Sequence, residues 1–486
     1  MNSQDLRPHL GWSLGKRLFA AAALCAFASA PAAFAGASGA SSAGAAAAAP
    51  PAFDADLLSG LAPRSIGPAG MSGRVAAIDA VESNPDIVYV GAATGGVWKS
   101  LDGGISWKPI FDTQPVAAIG AIAIDQRNPA IVWVGTGEGN VRNSASVGNG
   151  IYRSADGGNT WSHLGLEGSE RIHRIVLHPD DPDVAWVAAL GREWGENPER
   201  GIFKTTDGGK SWKKVLYVDE KTGGADIAMV EGSPNRLFAS MWQYRRWPDY
   251  FKSGGPGSGL YSSLDGGETW KRLEVEDGLP EGELGRIGLG LSRSHPEIVY
   301  AMVEAKKSAL LRSDDFGQSF KTVNSEPNVN PRPFYFGELR VDPQDPNRVF
   351  SVDFTVRVSS DGGKSFSTLI RWDEIHGDHH ALWIDPANPR HLIAGNDGGV
   401  AVSHDGGKTN RFVANLPLAQ FYHVAYDMDR PYNLYGGLQD NGSWRGPSSV
   451  RQSGGIRNHF WKVVGGGDGF ETLPDPTDSL QGYALW

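Results

Sequence analysis

YRSADGGNTW, Tyr152 to Trp161, sets an acidic residue between a hydroxyl and two glycines, with a tryptophan behind. Such a stretch is either a catalytic carboxylate or a built turn, and the rest of the chain decides between them. It returns as SLDGGISW at Ser100, TTDGGKSW at Thr205 and SLDGGETW at Ser263, and in weaker form as SDDFGQSF at Ser313, SSDGGKSF at Ser359 and SHDGGKTN at Ser403. The seven acids, Asp102, Asp156, Asp207, Asp265, Asp315, Asp361 and Asp405, are spaced by 54, 51, 58, 50, 46 and 44 residues. That is the period of a repeated supersecondary unit. Seven similar acids spread through a repeat cannot converge on one substrate, so the box is read as a turn: Asp bonds its own backbone, Gly takes a positive φ, Ser or Thr ties the hairpin, and Trp packs between neighbours.

The last full repeat, HHALWIDPANPRHLIAGNDGGVAVSHDGGKTNRFVA (residues 379–414), shows the unit. Strands are predicted at Ala381–Ile384, His391–Ala394, Val400–Ser403 and Thr409–Ala414, with a Pro-rich turn after the first and the box after the third. Four short antiparallel strands make one propeller blade, and the fold class is all-β, a β-propeller of four-stranded blades. Composition agrees: 64 glycines and 16 tryptophans in 486 residues, with little helical periodicity. Up-and-down strands put the first turn and the box on one face and the other loops on the opposite face, where chemistry is to be sought.

The chain opens with basic residues, an apolar run from Leu18 to about Ala28 and Ala33-Phe34-Ala35, which reads as an export signal over residues 1–35. The run is too short to span a bilayer. Residues 36–52 read as a low-complexity linker, 53–414 as seven Asp-box blades, and 415–486 as further blades, with at least eight begun and the last incomplete. Either a second propeller starts there or a larger ring continues, and both imply a longer protein. Cys25, the single cysteine, lies in the apolar run, so the exported chain has no disulfide. A net charge of −10 with no cationic footprint argues against nucleic acid as a partner. No cofactor signature is read.

On the loop-rich face, blade four carries MWQYRRWPDYFKSGGPGSG from Met241, where Trp242, Tyr244, Arg245 and Trp247 suit stacking on sugar rings or holding a peptide. Glu138 in blade two and Glu193 in blade three share that face, as do Asp397, Gln439, Asp440 and Asp468 further on. Asp440, Asp468 and Asp397 are the leading acids for hydrolysis by water, which in inverting enzymes needs carboxyls about 6.5–9.5 Å apart. His376, Asp378 and His380 alternate along one stretch and form a candidate metal set.

The box resembles the Asp-box, or BNR, repeat of sialidases, xyloglucanase-type glycoside hydrolases and sortilin/Vps10 luminal domains. From about Leu61 onward, including YGGLQDNGSW and GGGDGFETLPDP, the chain is similar to secreted bacterial proteins of the sortilin-N-terminal-like and BNR-repeat glycosyl hydrolase group. The resemblance implies the fold strongly and the activity weakly. Where xyloglucanases carry catalytic Asp in T-D-x-G-G and G-D-x-G-G patterns, this chain has Ala93 and Asn396, with Asp397 one step late. Two functions stay open: a periplasmic or extracellular propeller that binds and hydrolyses a polysaccharide or oligosaccharide, or a non-enzymatic sortilin-like platform for peptides and proteins.

Overall fold

The computed structural model describes Gly60, Leu61 and residues 63–486. The export-signal and linker readings lie outside the described residues. Within Arg64–Trp486 the chain forms a succession of antiparallel sheets, each built from one contiguous run of sequence. Blades one to seven span residues 75–109, 119–163, 172–216, 222–272, 287–324, 338–370 and 379–412, an eighth sheet spans 421–465, and a two-stranded sheet covers 472–484.

In blade seven the strands are His379–Ile384, Leu392–Asn396, Gly399–Ser403 and Arg411–Phe412. The sequence pattern finds all four and errs only at their ends. Blade four departs further. The stretch read as a long loop is a β-hairpin: the second strand runs on from Ser233 to Trp247 and pairs with Tyr250–Ser253, in register Tyr244 to Ser253 and Trp247 to Tyr250.

First strands of blades one to seven pack side by side in succession, and that of blade seven packs on that of blade one. The ring closes through packing that repeats at other junctions. A glycine in the second strand lets a β-branched residue of the next blade approach: a Cβ on Gly91, Gly135 or Gly395 would lie 2.5–2.6 Å from Ile119, Ile172 or Val75 respectively. No side chain beyond hydrogen fits there. Around the seven-to-one seam, Val75, Val90, Val400, Val413 and Leu416 form a buried cluster with Trp383. Ser72 adds two bonds, its N–H to Gly398 O at 2.8 Å and its Oγ to Leu416 O at 2.7 Å.

All seven boxes adopt one geometry. The leading Ser or Thr donates to Asp Oδ1 at 2.6–2.9 Å, and the Ser or Thr four residues past the Asp donates to Oδ2 at 2.6–2.7 Å. The residue after each Asp donates its N–H to the first turn of the same blade at 2.7–3.0 Å, as Gly157 does to Ala130 O. Box and first turn therefore share one face. Trp161 and Trp212 donate Nε1–H to Ile110 O and Leu164 O of the preceding blade, both at 2.7 Å, which ties neighbours together.

Candidate functional site

The opposite face gathers carboxylates from several loops around one arginine. Asp397 sits in the tight connection between strands Leu392–Asn396 and Gly399–Ser403 of blade seven. Its oxygens accept from Arg74 Nε at 2.7 Å, from Arg74 Nη2, from His380 Nε2 at 2.8 Å and from Tyr335 Oη at 3.3 Å. Burial alone would raise this carboxyl, but Arg74 and His380 outweigh it and hold it well below the usual carboxylate range.

Arg74 lies just before the first strand of blade one and is 4% exposed. Besides gripping Asp397 it reaches Glu138 of blade two at 3.3 Å and stands 3.8 Å from Asp440 Oδ2 of the eighth sheet. Glu138 is buried and also meets Arg142 Nε at 3.4 Å. Arg142 then bonds Gln439 Oε1 and, at 3.1 Å, Gln420 Oε1. One polar network thus joins blades one, two and seven to the eighth sheet.

Asp440 differs from Asp397. It occupies a tight turn at φ 59°, and its side chain keeps 35% exposure. Burial, followed by the charges of Asp397 and Asp468, pushes its carboxyl up to about 6, against the pull of Arg74. Its N–H donates to Asp468 Oδ1 at 2.8 Å, and its carbonyl oxygen lies 3.1 Å from His376 Nε2. A carboxyl that titrates near neutrality beside a second carboxylate has the makings of a proton donor and acceptor pair.

The other predicted residues part company. Trp242 and Tyr244 are buried, stacked on one another at 4.3 Å and 17°, with Phe251 and Phe334 beyond. Their rings offer no free face for a sugar, because alternation along the extended strand turns them inward. Arg245 and Trp247, on the other face of the hairpin, remain partly open, with the guanidinium 4.6 Å from the Trp247 ring centre. Glu193 is buried between Arg171 at 3.2 Å and Arg246 at 2.9 Å, so it braces loops. His376, Asp378 and His380 do not converge. His380 turns to Asp397, and His376 to the carbonyls of Gly377 and Asp440. Among the described residues no group of three or more His, Cys, Asp or Glu is arranged to hold a metal ion. Arg74, Arg142 and Tyr335 escaped the sequence reading; the one available signal was a charged residue, Arg74, at the mouth of a mostly apolar inner strand, Val75–Val81.

The class defined by these sheets and boxes is an Asp-box β-propeller, and the chain is similar to proteins of the sortilin and xyloglucanase kind. The family model described as Sortilin, neurotensin receptor 3, matches residues 149–280. A xyloglucanase of a Paenibacillus species is 23% identical over 329 residues, covering 60% of this chain and 31% of that protein. A probable oligoxyloglucan-reducing end-specific xyloglucanase of Neosartorya fischeri is 25% identical over 217 residues, covering 43% of this chain and 23% of that one. The chain therefore spans a third or less of the length of the curated relatives it matches. Among solved structures, the GH74 enzyme of Niastella koreensis superposes with a TM-score of 0.57 at 16% identity, over 78% of this chain and 60% of its own. An ancestral GH74 enzyme gives 0.56 at 18%, over 79% and 54%. Among the described residues no helix is long and apolar enough to cross a membrane.

Proposed function

We propose that this protein is an exported propeller that binds a β-glucan of the xyloglucan kind across its loop-rich face and hydrolyses it. The curated relatives' names supply the substrate class, and residues 1–35 supply the export signal. The observation that carries the reading is Asp440: partly open, set against Asp468, and free of the tight ion pair that locks Asp397. In its protonated form Asp440 donates to the glycosidic oxygen as the C–O bond breaks. Asp468 takes a proton from the water whose oxygen forms the new bond to the anomeric carbon. Asp397 acts at one remove, by fixing Arg74 3.8 Å from Asp440. The eighth sheet, lying outside the seven blades that pack in a circle, is read as the start of a second propeller.

Turnover of xyloglucan should fall about 10²-fold or more in Asp440→Asn and in Asp468→Asn, with melting temperature unchanged. In the wild type it should decline as pH rises through about 6, where Asp440 loses its proton. Unchanged turnover in both variants would remove these acids from the mechanism. The second reading, a receptor platform, draws on the sortilin match, which runs from the third strand of blade two through blade four. Saturable peptide binding with no turnover of any polysaccharide selects it.

A further inference from the structure

The hairpin of blade four has two faces with different fates. Tyr244, Arg246, Phe251 and Ser253 point inward and are fully engaged: Arg246 bonds Glu193 at 2.9 Å and stacks 4.6 Å from the Phe251 ring. The outward face carries Arg245 directly opposite Lys252, and Trp247 directly opposite Tyr250. Like charges set opposite one another destabilise a strand pair. Their acidic partners, Glu196 and Glu283, both lie outside the hairpin. Arg245 makes a single long contact, Nη1 to Glu196 Oε1 at 3.4 Å, and its Nε has no partner. Lys252 comes no closer than 3.7 Å to Glu283, and Lys221, from the approach to blade four, lies 3.9 Å from the same Glu196. A guanidinium has five N–H donors in a fork that fits a carboxylate. Here it is held in place by the Trp247 ring with most of those donors unused.

Arg245, Trp247, Lys252, Lys221 and Glu196 help wall a cleft of about 170 Å³ between the hairpin and the Gly195–Glu196 loop of blade three. It has room for about one pyranose ring. A local excess of cations on a chain of net charge −10 selects for an anionic ligand. Aromatic rings beside them suit the apolar face of a sugar. We propose that this cleft is a binding subsite for a uronic acid residue of a glycan, its carboxylate gripped by Arg245 and Lys252 and its ring set against Trp247. The assignment rests on the glycan reading above, and it names a charged sugar where the relatives' names concern a neutral one.

Titration calorimetry on the full chain tests it, with hexagalacturonate and cellohexaose as probes. Hexagalacturonate should bind at low salt and weaken as salt rises. Cellohexaose should bind about tenfold more weakly, and Arg245→Gln and Lys252→Gln should each cost hexagalacturonate about tenfold with the melting temperature equal or higher. Equal binding of the two oligosaccharides, or indifference to both substitutions, overturns the assignment. Competition by oligoglutamate as strong as by hexagalacturonate overturns it too, in favour of acidic peptide. Assaying the wild-type chain for both properties separates the two readings: hexagalacturonate binding without glucan turnover refutes only the hydrolytic reading. Glucan turnover without hexagalacturonate binding refutes only the uronate subsite.

Discussion

Three aspartates show how one side chain takes three fates. Asp156 bonds hydroxyls and N–H groups within four residues of itself, Asp397 is held by an arginine 323 residues away, and Asp440 is left half open between them in character. The first fate is legible in sequence because every partner is local. The second is not, since only the closed ring brings Arg74 to Asp397, and neither residue sits in a repeated motif. Arg74→Met leaves a buried carboxylate without its partner, and we expect a loss of about 3–5 kcal/mol in denaturant unfolding. A midpoint equal to that of wild type would mean that Asp397 is held by His380 and Tyr335 alone.

At the scale of the element, the box is a hairpin whose staple is ionised. Bonds from the Thr160 side chain and backbone and from Ser154 pull the Asp156 carboxyl down to about 2. A depressed folded value means that its contribution is present above the ordinary carboxylate range, near 3.9, and disappears as pH falls through about 2. The stability gap between wild type and Asp156→Asn should therefore be widest near neutrality and close as acid is added, in melts recorded across that range. The neighbouring hairpin of blade four teaches the opposite lesson about legibility. Its aromatic and arginine residues announced a special loop, but the strand periodicity ran on through Trp247, and that periodicity buries Trp242 and Tyr244 while exposing Arg245 and Trp247. Reading i and i+2 as one face would have separated core from surface.

For the whole molecule, counting boxes yields the number of blades but not which of them meet. That depends on the accumulated turn from one sheet to the next, which no local pattern encodes. The meeting point is the cluster around Leu416, fully buried between blade seven and blade one. Leu416→Ala should cost about 2–5 kcal/mol. Hydrogen exchange should quicken in blades one and seven before the others, as expected for local opening at one junction. Uniform acceleration around the circle would mean that the seam is no weaker than any other radius.

Among the described residues no sheet borrows a strand from elsewhere in the chain: each is built from a single stretch of sequence. A gene segment encoding one sheet can thus be copied, lost or exchanged with its ladder of strand-to-strand bonds intact. The lineage is free to add members in whole steps, and only the side chains and the few backbone bonds that cross the two new borders, such as Ser72 N–H to Gly398 O, must adapt.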